Sequence, residues 1–338
     1  MKTKLLLKAA VAALIFTACS SEDSSKSGNS DNLKNEFNEG NLAELRQSNR
    51  DNLKQYFTIE ANGERTTVAS EKGVKINVDT RTLTANGRPV RGTVQIEFIE
   101  IFGIADMVAT GMPTVGVKEG EVTPDSEVSP LITGGEFFVE ITTEEGQVVD
   151  DGASYTLEVP TELTGGGEET DTNDMIVWTG EEDENGDVVW EKDTDEDGNP
   201  RDVRVEDGKY IMEMLSFGWC NIDKLMEVEG ERTDIWVDVP DGFNDTNSSV
   251  YLSYQGGSQN MLFDIQSFNY GIDMFEQLGN YIPVGAQFNV IFVSGSGNNW
   301  LIAVKQVTIV GNDVIVINNS DIASVSDPAL ISLLSTLP

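Results

Sequence analysis

Cysteine, aspartate and glutamate carry most of the chemistry this 338-residue chain can offer, because it contains no histidine and only two cysteines. Without imidazole there is no hydrolase triad built on it, no zinc site with histidine ligands and no side chain that titrates unperturbed near neutrality. Cys19 ends a short apolar run and offers a nucleophilic thiol. Cys220 lies in the apolar stretch 215–220 and reads as a small buried hydrophobe. If Cys19 is acylated, Cys220 has no partner, so the mature chain forms neither a disulfide nor a thiolate metal cluster. Asp193, Asp195, Asp197 and Gly198 open like a calcium loop, in which alternate residues of a tight turn aim oxygens at one hard cation. The rest of that loop departs from the pattern: Pro200 stands at the eighth position, and Arg204 at the twelfth, where a bidentate glutamate belongs. The two readings are therefore a solvated Asp-Gly hairpin turn, which is the expectation, and a calcium site at Asp193, Asp195 and Asp197 as the alternative. No other cofactor is expected.

These groups need an address and a scaffold. Lys2, Lys4 and Lys8 precede the apolar run 9–16, which is too short to span a bilayer but long enough for a secretory signal. Residues 1–18 are expected to be removed. Phe16-Thr17-Ala18-Cys19 resembles a bacterial lipobox, with Phe16 where leucine is usual, and the resemblance implies a lipidated Cys19 as the first mature residue. Each buried acyl CH₂ contributes about 0.8 kcal/mol, so several chains hold a protein at a membrane essentially for its lifetime. Glu22-Asp23 resembles the export signal of Bacteroidetes lipoproteins, which implies the outer membrane, and its cell surface rather than its periplasmic face.

Residues 19–54 are expected to be a flexible tether, small and polar at 20–32, with a short amphipathic helix where Leu33, Phe37, Leu42, Leu45 and Leu53 recur. Beyond it the fold class is mainly β: two antiparallel β-sandwich domains of the immunoglobulin or transthyretin kind. The first spans 55–160, the second 233–338, with a Gly-rich linker at 161–174 and an acidic β-hairpin region at 175–232 between them. Short stretches of alternating apolar residues separated by turns such as Asn62-Gly63 and Asn86-Gly87 carry that reading. The apolar phase changes between Val94-Ile96-Phe98 and Ile99-Ile101, which predicts a β-bulge at Phe98 and Ile99. A short helix is expected at 270–278, and another at the C-terminus, where Pro328 follows a capping Asp327 and leucines dock on the second domain.

Net charge is −36, from 22 Lys and Arg against 58 Asp and Glu, which excludes nucleic acid as a partner because phosphate binding needs a basic surface. Residues 87–94 (Gly87 to Val94), 96–101, Ala105-Asp106-Met107-Val108, Pro113-Thr114 and 131–139 (Leu131 to Val139) together resemble a recurring extracytoplasmic domain of uncharacterised Bacteroidetes lipoproteins. Phe217-Gly218-Trp219-Cys220-Asn221-Ile222-Asp223 resembles the pattern that follows it. That family has no established activity, so the resemblance implies lineage and architecture and assigns no catalytic residue. Glu97 and Glu100 are read as solvent-facing strand carboxylates.

The expected function is therefore a non-catalytic envelope protein, bound to the membrane through its N-terminal lipid and contacting an extracellular glycan, a protein or an envelope assembly. The alternatives are a paired-carboxylate glycoside hydrolase, whose two acids cannot be picked out of so many, and a calcium-stabilised adhesion module. Trp178, Trp190, Trp219, Trp236 and Trp300, with Tyr251, Tyr254 and Tyr270, are candidates for an aromatic platform, each also a natural core residue.

Overall fold

The computed structural model describes residues 40–117, 128–164, 172–182, 188–226, 230–255, 260–265 and 267–337. Cys19, the tether at 20–32, residues 165–171 of the 161–174 linker and the acidic turn 183–187 lie outside them. Helix α1 (Gly40–Leu53) leads into β1 (Gln55–Ala61), β2 (Arg65–Ala69), β3 (Lys75–Asp79), β4 (Thr84–Ala85), β5 (Arg88–Pro89) and β6 (Gly92–Ile101). Helix α2 (Ile104–Thr110) is followed by β7 (Val115–Val117), β8 (Val128–Thr143) and β9 (Tyr155–Pro160). Then come β10 (Ile176–Glu182), β11 (Val188–Lys192), β12 (Arg204–Glu206), β13 (Lys209–Met214) and β14 (Gly218–Leu225). The remainder is β15 (Arg232–Asp238), β16 (Ser248–Tyr254), β17 (Leu262–Asp264), β18 (Ser267–Asn269) and β19 (Met274–Pro283). After these follow β20 (Gln287–Ser296), β21 (Asn299–Thr308), β22 (Asp313–Val316), β23 (Ala323–Val325) and α3 (Asp327–Leu334).

The chain is mainly β, as its alternation predicts. One seven-stranded sheet runs β1-β6-β8-β14-β10-β11-β7, and β7 pairs back onto β8, so β8, β14, β10, β11 and β7 close into a small barrel. A ring of five strands cannot alternate direction all the way round. One pair must be parallel, and it is β7 with β11, at Gly116 opposite Trp190. So few strands enclose little space, and glycine supplies it: a Cβ on Gly116 would lie 2.7 Å from the Trp178 ring, and one on Gly180 2.5 Å from Val188. The expectation of purely antiparallel sandwiches missed this closure, and also the parallel pairing of β15 with β22.

The other face of the seven-stranded sheet shares a core with the sheet β12-β13-β9-β3-β2, through Ile96, Phe98, Phe137, Val139, Cys220 and Ile222 on one side and Ile76, Tyr155, Leu157 and Met212 on the other. Strands of the acidic region thus complete the same two sheets as strands from 55–160. Farther along the chain, β18-β19-β15-β22 and β17-β16-β20-β21-β23 share a second core around Phe263, Phe275, Phe288 and Phe292. A third apolar cluster joins the two halves: Leu42 and Leu45 of α1, Met107 and Val108 of α2, Trp178 and Trp190 of the barrel, Trp300 of β21, and Leu330 and Leu334 of α3.

Four local expectations are corrected. There is no bulge at Phe98 and Ile99, since β6 stays in continuous register with β8 from Val94–Thr143 to Ile101–Glu136. Both faces of β6 are buried there instead, one by the first core and the other by the cluster that contains α1 and α2, so apolar residues appear on both phases. Glu100 is correspondingly buried, not solvent-facing. The stretch 270–278 is not helical: a turn at 270–273 with Asp273 at φ +60 leads into β19, where Phe275 and Gln277 are buried alternately. At the C-terminus the cap residue is Ser326, one earlier than expected, and the Asp327 carboxylate instead accepts hydrogen bonds from the Trp300 indole and, at 3.2 Å, from Asn49.

Candidate functional site: a buried carboxylate cluster at a glycine bulge

The barrel holds a polar cluster because β8 changes phase. In β8, Leu131 and Thr133 point to the barrel side, and Phe137 and Val139 to the first core. Between them the register with β14 slips, Thr133 lying opposite Asp223 and Glu136 opposite Asn221, so that two residues of β8 face one of β14. The two are Gly134 and Gly135. Gly135 has φ +117, and a Cβ there would come within 2.6 Å of the Phe102 ring; one on Gly134 would lie 2.8 Å from the Ile222 carbonyl oxygen. The extra residue reverses the parity of β8, which puts Glu136 on the barrel side beside Asn221 and Asp223. Directly opposed residues of adjacent strands have Cβ atoms about 4.5–5.5 Å apart, so Glu136 and Asn221 are neighbours.

Glu136, Asn221 and Asp223 have no exposed surface at all. Asn221 Nδ2 donates to Asp223 Oδ2 at 3.0 Å, and the same carboxylate accepts from the Thr133 hydroxyl and the Gly134 amide. Trp178 Nε1 donates to the Asp223 carbonyl oxygen at 2.9 Å and anchors that strand end. Four oxygens are left over. Glu136 Oε1 and Oε2, Asn221 Oδ1 and Asp223 Oδ1 have no hydrogen-bond partner among the described residues. Burial pushes the Glu136 carboxyl well above the usual carboxylate range, the Asp223 charge adds to the rise, and Arg50 opposes it. Burial also raises Asp223, against the hydrogen bonds from Thr133 and Gly134.

The guanidinium that opposes the rise at Glu136 comes from α1. Leucines 42 and 45 were the expected apolar stripe of this helix, but Arg46 and Arg50 share the buried face. Arg50 Nε donates to the Thr110 carbonyl oxygen at 2.7 Å, and Nη1 lies 3.4 Å from Glu182 Oε2. The second Glu182 oxygen accepts the Trp219 indole N–H at 2.7 Å. Arg50 thus divides its charge between Glu182 and the field at Glu136. A glycosidase could not use this pair as it stands, because a sugar must reach between its carboxyls and both are sealed from solvent. What the group can hold is a proton or a hard cation.

The residues singled out from sequence lie elsewhere. Asp193 pairs with Arg201 Nε at 3.1 Å. Asp195 Oδ1 accepts the backbone N–H groups of Asp197 and Asn199, both at 2.9 Å, and Asn199 Nδ2 approaches both of its oxygens at 3.3 Å. Asp197 is exposed. Among the described residues no group of three or more Asp, Glu or Cys side chains is placed to hold a metal ion, the 193–197 loop included. Cys220 is buried in the first core, where desolvation pushes its thiol up to about 12. Trp178, Trp190, Trp219, Trp300 and Tyr251 are core residues. Trp236 is half-buried on the outer face of β15, opposite Val314, its indole donating to Glu276 Oε2 at 3.3 Å, and Tyr270 is exposed at the nearby turn.

Reasoning from sequence missed Glu136, Asn221 and Asp223, although two signals were there. A Gly-Gly pair interrupts the β-rich run 131–139, and Asn221 and Asp223 put polar groups on alternate positions of an otherwise apolar strand. No protein-family model matches this chain, and no curated protein is significantly similar to it.

Proposed function

We propose that the protein is a lipid-anchored component of the bacterial cell envelope, displayed on the outer surface, non-catalytic, and engaged in binding an extracellular glycan or protein partner. The carrying observation is the N-terminal order of basic residues, apolar run, Phe16-Thr17-Ala18-Cys19, acidic pair and polar tether, which suits export, acylation and display. The likeness of residues 87–139 and 217–223 to Bacteroidetes envelope lipoproteins agrees with it. We read the paired sheets as two sandwich-like layers around the barrel. The absence of imidazole from the chain and the sealing of Glu136 and Asp223 favour binding over hydrolysis.

The face we assign to binding is the outer side of β18-β19-β15-β22. Trp236 there is flanked by Glu276 and Asn269, whose side chains are hydrogen-bonded to each other at 3.1 Å, and by Val314 and Val316, 46% and 42% exposed. A ring beside carboxylate and amide groups is the usual chemistry of sugar recognition. Two measurements test the proposal separately. Cys19→Ala should release the protein from membranes, still folded, and abolish uptake of labelled palmitate; continued acylation would refute the anchor. On a glycan array the wild type should bind and Trp236→Ala should not. Silence of both would leave a structural role in an envelope assembly as the better reading, with a stable partner recovered from solubilised membranes.

A further inference from the structure

We propose that Glu136, Asn221 and Asp223 form a buried binding site for one calcium ion, held inside the barrel between β8 and β14. The inference stands independently of the anchor and of the Trp236 face.

Four oxygens of three fully buried side chains meet on one face of two paired strands, and none has a hydrogen-bond partner among the described residues. Buried polar groups are almost always satisfied, and a carboxylate taken from water without compensation costs several kcal/mol. A single proton shared between Glu136 and Asp223 would satisfy two of the four oxygens, and protons satisfy all four only where each carboxyl carries one and both acids lie neutral. A cation satisfies all of them at once. The identity of the atoms points the same way, since every unsatisfied atom in the cluster is an oxygen, the ligand a hard cation takes. Charge agrees: Glu136 faces the Asp223 charge, and the Arg50 guanidinium that opposes it is also paired with Glu182. Calcium is favoured over magnesium because the site is fully enclosed and its ligands are irregularly disposed by the bulge. Calcium accepts variable geometry and carboxylate, amide, backbone and water oxygens alike, whereas magnesium demands a near-octahedral shell and keeps several of its waters.

The glycine pair is part of the device. Without the extra residue between Thr133 and Glu136, the parity of β8 would place Glu136 in the apolar first core, and the three oxygen-bearing side chains would not share a face. The Asp195 loop is a useful internal control, because its carboxylate oxygens are already occupied by its own amides.

The test is elemental analysis of the purified full chain after unfolding in chelator and refolding with calcium, followed by exhaustive dialysis. The expected result is one calcium per chain, retained by Asp195→Asn and lost in both Glu136→Gln and Asp223→Asn. A thermal melt supplies the second readout on protein that is demonstrably folded: wild type should gain roughly 5 °C in millimolar calcium over chelator, magnesium should give less, and Glu136→Gln should not respond. Calcium-free wild type that melts identically in both buffers, with a carboxylic-acid C=O stretch removed by Glu136→Gln, would overturn the proposal in favour of a shared proton. Loss of the ion in Asp195→Asn with retention in Glu136→Gln would move it to the loop, and equal stabilisation by magnesium would overturn the calcium assignment.

Discussion

Glu100 and Glu136 are both buried glutamates, one residue out of step across the same pair of strands, since Glu100 lies opposite Phe137. Their surroundings differ completely. Glu100 Oε1 accepts from Gln55 Nε2 at 3.0 Å and from the Lys72 amide at 3.1 Å, and Oε2 accepts from the Ser70 hydroxyl at 2.6 Å. Ser70 Oγ in turn accepts the Val74 amide at 3.0 Å, so this carboxylate ties β1 and the β2–β3 turn to β6. Glu136 has no such set. Burial alone therefore says little about a carboxylate's role; what decides it is whether the protein supplies the donors. Glu100 is a structural tie, complete within the chain, and Glu136 is completed from outside.

Removing Glu100 gives the largest expected effect. Glu100→Ala strands three donors, the Ser70 hydroxyl in a buried position, and with about 1–3 kcal/mol for each donor left without its partner the loss is about 3–5 kcal/mol, read as a lowered urea midpoint at constant slope. Calcium should not change that loss. An equal midpoint in wild type and Glu100→Ala would show that the two sites do not differ as described.

Glu136→Gln should behave in the opposite way. In chelator it removes an uncompensated buried carboxyl, so stability should hold or rise. In calcium the variant forgoes the ion's contribution, about 2.7 kcal/mol when calcium is a hundredfold above its Kd. The measurement is the difference between two urea titrations, with and without calcium, for each protein. A loss relative to wild type that depends on calcium in Glu100→Ala and does not in Glu136→Gln would reverse the comparison.

Gly135→Ala sharpens the same contrast through the backbone. At φ +117 a side chain is strained, and its Cβ would press on Phe102 and Phe137, so a loss of about 1–3 kcal/mol is expected from overpacking alone. Because the bulge sets the phase of Glu136, calcium-dependent stabilisation should shrink in this variant, whereas the Glu100 network should not notice. A variant that is destabilised yet retains the full calcium response would separate the bulge from the ion site.

The legibility of these features in the sequence follows their range. Local alternation located most strands, including β1, β6, β8, β9 and β20, and the leucines of α1 and α3 marked their buried sides. Closure of the barrel was not legible, because it depends on three-residue β7 bonding at once to β8 and β11. The burial of Arg46 and Arg50 was not legible either, since nothing in the helix itself announces that Ser249, Tyr251 and Thr110 will receive them. The phase change in β6 was visible but ambiguous: a bulge and a strand covered on both faces write the same apolar pattern. The cluster of Glu136 and Asp223 joins strands distant in sequence, so its only local traces were Gly134-Gly135 and the polar alternation of Asn221 and Asp223. Of the conspicuous aspartates at 193–197, Asp195 accepts the turn's own amides and Asp193 pairs with Arg201.

That loop supplies the smallest effect and the last contrast. Asp195 and Asp193 shift in opposite directions: the Asn199 amide and side chain hold the Asp195 carboxyl below its ordinary value, whereas desolvation raises Asp193 in spite of Arg201. A carboxyl with a lowered folded value binds protons more weakly in the folded than in the unfolded chain. Its contribution is present above the unfolded value of about 4 and is lost as pH falls through the folded one. Asp195→Ala should therefore weaken the protein slightly at pH 7, flatten the acid limb of the stability curve below about pH 4, and leave the calcium response intact. An unchanged acid limb would mean that the turn's hydrogen bonds persist in the unfolded chain, while a lost calcium response would place the ion on this exposed loop and remove the reason for distinguishing Glu136 from Glu100.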